Sequence, residues 1–175
     1  SSKVTKIKYR DTGRIIRVGK NINNGVLLKK GDLLFEVDPF NIKNALKDKY
    51  FSKKIIVLNI KKLNYQIETT ILRREELITQ RDIIKKQFNR KSANKNKVFS
   101  ENSIDELRLS LSLKEEKLIG NTELLNSLSV DIESYKEEVE ILDNTIARLN
   151  NDLKKTKVIA PYSGYISQLN IEVGK

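Results

Sequence analysis

Between Ile104 and Leu153, hydrophobic residues return at alternating steps of three and four. The series is Ile104, Leu107, Leu111, Lys114, Leu118, Asn121, Leu125, Leu128, Ile132, Tyr135, Val139, Leu142, Ile146, Leu149 and Leu153, and thirteen of these fifteen positions are apolar. Such spacing holds one stripe on one side of a helix, and its persistence over seven repeats predicts a coiled-coil helix. Lys114 and Asn121 interrupt the stripe. A buried Asn in a heptad seam fixes register at some cost in stability. Gly120 beside it argues equally for a locally loosened contact.

The preceding segment is less regular. Ile56, Ile60, Leu63, Ile67, Leu77, Ile84 and Phe88 fit one seam, but Thr70, Arg74 and Arg81 fall on it too. Ile71 and Ile78 suggest a shifted face, so a stutter is expected near residues 70–78. Ile55-Ile56-Val57-Leu58 could also be read as a buried strand, although helical spacing continues beyond it. Apolar positions on several sides of this segment suggest a further contact, such as a neighbouring subunit.

Punctuation sets the limits. Asp38-Pro39 disfavours helix before it, and Asn41 is a candidate cap for a helix beginning near Ile42. No proline follows until Pro161, and Gly120 is the only glycine between Gly31 and Gly164. Midway lies the polar run Lys91-Ser92-Ala93-Asn94-Lys95-Asn96-Lys97-Val98-Phe99-Ser100. Ser103-Ile104-Asp105-Glu106 then has capping-box spacing, with Ser100 as the competing cap. Two antiparallel helices are therefore expected over 41–157, with the tip near 91–103.

Short strand-like pieces flank this hairpin. The first contains Gly13-Arg14-Ile15-Ile16-Arg17-Val18 and Leu28-Lys29-Lys30-Gly31-Asp32-Leu33-Leu34-Phe35-Glu36-Val37-Asp38-Pro39. The second contains Val158-Ile159-Ala160-Pro161-Tyr162-Ser163-Gly164-Tyr165-Ile166 and Val173-Gly174-Lys175. A chain that leaves one β-domain and returns to finish it gives an α+β fold, with residues 1–40 and 158–175 as the halves of that domain. Ile16 and Ile166 are candidate facing positions, and Val4–Tyr9 a candidate joining strand.

Composition narrows the chemistry. The 175 residues contain no His, Cys or Met. Without His the commonest general base and metal ligand is missing, and without Cys there are no disulfides or thiolate sites. The lack of Met is expected of a piece of a longer chain. No catalytic constellation, cofactor site or metal site is read, because the adjacent pairs Glu75-Glu76 and Glu137-Glu138 diverge on a helix and no phosphate loop is present. The net charge is +11, yet residues 41–99 carry 16 basic and 5 acidic side chains, while 100–157 carry 8 and 13. Segments of +11 and −5 lying side by side favour pairing with each other. A nucleic-acid-binding coiled-coil arm is the alternative that the basic segment raises, but aromatic residues are not interleaved with its cations.

The two β-pieces resemble the halves of a split biotinyl-lipoyl domain, on Lys29–Pro39 and on Ala160–Ile166. With the inserted hairpin, the whole chain resembles the membrane fusion proteins, or periplasmic adaptors, of the HlyD type. The implied architecture is a long antiparallel coiled-coil α-hairpin inserted in a small split lipoyl-like β-domain. An adaptor of this kind links an inner-membrane transporter to an outer-membrane channel in type I secretion or multidrug efflux. It is periplasmic, is anchored to the inner membrane in its full-length form, and assembles into a ring. A Gram-positive exporter accessory protein of the same family is the alternative. Asp38-Pro39-Phe40 stands where carrier domains offer a modifiable lysine, so no lipoyl or biotin attachment is implied. The resemblance places channel binding at the hairpin tip, on Arg90, Lys91, Lys95, Lys97, Phe99 and Ser100. Many adaptors carry an Arg-x3-Leu-x6-Ser pattern there. This chain matches its Ser at Ser100, has Ala93 at the Leu position and Asn89 at the Arg position, and places Arg90 one residue off.

Overall fold

The two β-pieces are stitched together at a tight turn. The computed structural model describes residues 7, 13–20, 22–94 and 100–167. The elements in chain order are β1 Ile15–Val18, β2 Leu27–Leu28, β3 Leu33–Val37, α1 Phe40–Ser92, α2 Glu101–Lys155, β4 Lys157–Ile159 and β5 Gly164–Tyr165. Two compact units arise, one from residues 1–53 and 141–175, the other from 54–140.

In the first unit, both small sheets join the two β-pieces. One has the order β1-β3-β4 and the other pairs β2 with β5, all antiparallel. Phe35 opposes Val158, and Leu28 opposes Gly164. Ile16 and Ile166 do not face each other as expected, because Ile16 lies on β1, whose neighbour is β3, and Ile166 follows β5 in the other sheet. Ile22, Leu28, Leu34 and Ala160 form the core, with Val18, Phe35, Val158 and Ile166 packed against it.

The motif Lys29-Lys30-Gly31-Asp32 now has a physical account. Gly31 takes φ +93°, a left-handed conformation that a side chain disfavours. That turn lets the Gly31 N–H donate to the Ala160 carbonyl (2.9 Å), while the Ala160 N–H donates to the Asp32 carbonyl (2.8 Å). The Asp32 carboxylate accepts from the Lys29 N–H within the turn, and the Ser163 hydroxyl accepts from the Lys30 N–H. Gly19 is required for a different reason: a Cβ there would collide with the Leu33 backbone.

Two capped junctions launch and end the helices. The Asp38 carboxylate accepts from the Phe40 N–H at 3.0 Å, and the Pro39 carbonyl takes the first helical bond from Lys43. The cap is therefore Asp38, and Asn41 lies inside the first turn. Proline, with its fixed φ, suits that entry. At the far end Thr156 is 1% exposed. Its hydroxyl donates to the Leu153 carbonyl, and its own carbonyl accepts from the Val37 N–H. In the same unit, Lys53 of α1 and Asp143 of α2 form an ion pair at 2.6 Å.

In the second unit the two helices pack along the expected seam. All positions of the α2 stripe from Ile104 to Val139 are buried or half-buried, including Lys114 and Asn121. The facing residues of α1 are Ile56, Ile60, Leu63, Ile67, Thr70, Arg74, Leu77, Arg81, Ile84 and Phe88, in unbroken steps of three and four. The stutter expected near 70–78 is thus replaced by a regular seam: Ile71 points to solvent at 43% exposure, whereas Thr70 is 8% exposed. Residues 55–58 are helical, not a strand.

Thr70 and Arg74 stay on the seam with their polar groups satisfied, the Thr70 hydroxyl by donating to the Gln66 carbonyl of its own helix at 2.6 Å. The Asn121 side-chain amide donates to the Thr70 carbonyl at 3.0 Å, and Arg74 donates to the Thr122 hydroxyl. Lys114 donates to the Gln80 side chain at 2.7 Å. The Asn121 Oδ1 is buried without a hydrogen-bond partner. An unsatisfied buried acceptor costs about 1–3 kcal/mol, so this layer specifies alignment at the expense of stability. Gly120 itself is exposed and does not open the seam.

Leu77 is 2% exposed, so Leu77→Ala should cost about 2–4 kcal/mol in chemical denaturation, against less than ~0.5 kcal/mol for a surface change such as Ile71→Ala. The reverse order would restore the shifted face. Asn121→Leu should raise the denaturation midpoint by an amount equivalent to about 1 kcal/mol or more, while broadening the set of cysteine pairs across the hairpin that form disulfides. A single unchanged cross-linking register in that variant would show that Asn121 does not set the alignment.

Candidate interaction surface at the hairpin tip

The tip is where two helix ends of opposite polarity meet. Arg90 and Lys91 lie in the last turn of α1, and Glu101 in the first turn of α2. Cations near a helix C-terminus and an acid near an N-terminus both complement the helix dipoles. Helix α1 closes through the Ala93 N–H donating to the Asn89 carbonyl and the Asn94 N–H donating to the Lys91 carbonyl.

Helix α2 begins at Glu101, three residues earlier than the capping-box spacing suggested. Ser100 is its cap: its hydroxyl accepts from the Ser103 N–H at 3.2 Å, and its carbonyl accepts from the Ile104 N–H. Ser103 therefore occupies the third helical position rather than the cap. Its hydroxyl instead accepts from the Lys91 ammonium at 3.2 Å, tying the last turn of α1 to the first turn of α2. One turn further down, the Arg108 guanidinium lies 5.7 Å from the centre of the half-buried Phe88 ring, across the helix pair. Asp105 holds that guanidinium at 3.5 Å.

Of the six residues expected at the tip, Arg90 and Ser100 are exposed, and Lys91 is half-buried by its bond to Ser103. Lys95, Lys97 and Phe99 lie outside the described residues. Lys85 and Lys86 extend the exposed basic surface along α1. Ser103 and Arg108 were not among the expected residues. The signal for Arg108 was present, since an aromatic residue on one seam and a cation flanking the other lie at matching distances from the turn. The Lys91–Ser103 link was concealed by the capping-box pattern. Among the described residues no group of acidic side chains has the arrangement of a metal site, and no helix is long and apolar enough to cross a membrane.

No family model and no curated protein matches the chain. Among solved structures, MacA from Actinobacillus actinomycetemcomitans superposes with a TM-score of 0.54 at 16% identity, over 95% of this chain and 43% of that one. The periplasmic adaptor protein EmrA gives 0.46 at 17% identity, over 99% of this chain and 68% of that one. The soluble domain of LipC, a membrane fusion protein of a type I secretion system, gives 0.48 at 11%, over 96% and 92%. The chain thus spans less than half the length of MacA. It shares the fold of MacA, a long helical hairpin joined to small antiparallel sheets.

Because Ser100 satisfies an otherwise orphaned N–H, Ser100→Ala should lower stability by about 1 kcal/mol, and Ser100→Asp should preserve it. Thermal melting of the two variants checks this. Equal loss in both would mean that something other than the capping oxygen at position 100 matters.

Proposed function

We propose that this chain is the central portion of a periplasmic adaptor, with residues 1–40 and 158–175 forming its lipoyl-like domain and 41–157 its hairpin. In this reading the full-length protein is anchored in the inner membrane and engages a transporter there through regions beyond this chain. It assembles into a ring and meets an outer-membrane channel at the hairpin tip, serving type I secretion or multidrug efflux. Its role is mechanical and recognitional rather than catalytic.

The observation that carries the reading is the closure of two lipoyl-like motifs across the hairpin, through Gly31, Asp32 and Ala160. Neither motif is explained by a free coiled-coil arm, nucleic-acid-binding or otherwise. The MacA superposition supports the same architecture.

Arg90, Lys91, Lys95, Lys97, Phe99 and Ser100 are the proposed docking residues. The cations attract an acidic partner surface at long range, which raises association rates more than it lowers dissociation rates. Phe99 and Ser100 give the turn its short-range contact. Lys91 has a second duty, since its bond to Ser103 joins the helix ends.

The test uses the full-length protein in cells. Arg90→Glu, Phe99→Ala and Ser100→Asp should together abolish export and tip cross-linking to the outer-membrane component, while circular dichroism and melting stay near the parent. Survival of both export and cross-linking would sink tip docking and favour the Gram-positive accessory reading.

A further inference from the structure

The two outer edges of the helix pair complement each other. On α1, Ile55, Leu58, Lys62, Tyr65, Thr69 and Leu72 follow steps of three and four on the side away from the seam. On α2, Ile119 and Val130 stand eleven residues apart on the side away from the seam, and Ile141 continues the series. An eleven-residue repeat holds one face of a helix, as a heptad does. Glu116, Glu123 and Glu137 fall at helical steps from these residues, in the same stripe. The apolar members of both stripes are all more than half exposed.

Charge and height then select the occupant. Residues 54–73 carry Lys54, Lys61, Lys62 and Arg73 against one acid, Glu68. Residues 121–140 carry Glu123, Asp131, Glu133, Glu137, Glu138 and Glu140 against one cation, Lys136. The two stretches lie at the same level of the helix pair, because Thr70 meets Asn121 and Arg74 meets Thr122. From those contacts Leu72 is level with Ile119, and Tyr65 with Val130 and Asp131. Apolar residues thus stand at matching heights on the basic edge and the acidic edge. Two copies joined α1 to α1 would oppose lysines to lysines, and two joined α2 to α2 would oppose carboxylates to carboxylates. A foreign acidic helix laid on α1 would leave Ile119 and Val130 bare. A second copy beside the first, its hairpin pointing the same way, covers both edges with one kind of contact.

We propose that the α1 edge along Ile55–Leu72 packs against the α2 edge along Ile119–Glu137 of a neighbouring copy of this chain. Tyr65 meets Val130 of the neighbour, and Leu72 meets its Ile119. Lys54, Lys61 and Lys62 face the neighbour's flanking carboxylates at Asp131, Glu133 and Glu137. The contact is heterologous, because different surfaces of the two copies meet, and it propagates into a closed ring or an open row. It rests on the ring assembly proposed above and assigns the surfaces that make it. It uses none of the tip residues.

The experiment uses two differently tagged copies of the full-length protein, produced together in one membrane and treated with a short thiol cross-linker. One copy carries Tyr65→Cys and the other Val130→Cys, with the unsubstituted protein as the blank. The mixed pair should cross-link at least about tenfold more than either variant alone. Adding Lys54→Glu, Lys61→Glu and Lys62→Glu to the Tyr65→Cys copy should cut the yield by about tenfold, because like charges then face each other. Asp131→Lys, Glu133→Lys and Glu137→Lys in the Val130→Cys copy should restore it, which separates a lost contact from a misfolded hairpin. Absence of the mixed product, or no loss on charge reversal, would overturn the proposal. So would a Tyr65→Cys product with itself, which would make the contact isologous, or with a different protein alone, which would give the edge another occupant. Sedimentation of the solubilised full-length protein tells the two readings apart. Rings without the mixed product refute the assignment of faces only, whereas a monomer refutes the ring assembly as well.

Discussion

The first unit is closed by backbone hydrogen bonds that join residues far apart in sequence. The Gly31 N–H reaches the Ala160 carbonyl, and the Ala160 N–H returns to the Asp32 carbonyl. These contacts close a domain whose two pieces are separated by the whole hairpin. Bringing such distant segments together carries a loop-closure cost that grows only with the logarithm of the intervening length. Strand β3 leads into α1, and α2 leads back into β4, which is the neighbour of β3 in the sheet. The helices must then be matched in length, and they are, at 53 and 55 residues.

The helix pair obtains its attraction and its alignment from different residues. Leu77, Leu118, Leu128 and Ile132 are buried in the second unit, and each such side chain contributes roughly 1.5–3 kcal/mol when removed from water. A hydrophobic seam of uniform repeats would nevertheless tolerate a shift by one heptad. Asn121 against the Thr70 carbonyl and Lys114 against Gln80 penalise that shift, since either displacement leaves polar groups unpaired in a partly dry interface. The opposite net charges of the helices act differently. Lys53–Asp143 joins the two helices directly, whereas Arg73–Glu76, Arg108–Asp105 and Arg148–Asp152 each lie within one helix. Charge complementarity works mainly as a field that favours pairing of the two helices, and exposed pairs of this kind are individually worth about 0–1 kcal/mol.

Recognition surfaces follow from what the seam leaves over. One stripe of α1 is consumed by α2, and the opposite stripe remains open to solvent with lysines along it. At the tip, the same physics that ends one helix and begins the next, cations at a C-terminus and a hydroxyl cap at an N-terminus, leaves Arg90 and Ser100 exposed. Structural and recognitional duties thus overlap at Ser100 and at Lys91. The proposed roles at the tip are best separated by substitutions that keep the capping oxygen.

The sequence by itself determined the features that rest on local periodicity and on fixed conformational preferences. The α2 seam and the breaker-free helices were legible, because a three-four repeat means the same thing in any context. Membership of Thr70, Arg74 and Arg81 in the α1 seam was decided only by the tertiary structure. Their polarity pointed away from burial, yet the packed helices bury Thr70 and half-bury Arg74 and Arg81 with their polar groups bonded to Gln66, Thr122 and Asp82. The same holds for Asp38 rather than Asn41 as a cap, for Ser100 rather than Ser103, and for the strand partners of Ile16 and Ile166. In each case several residues met the local chemical requirement equally well. Thr156 offered no signal at all: its hydroxyl bond to the Leu153 carbonyl is local, but its carbonyl meets the Val37 N–H only once the two pieces of the β-domain have closed.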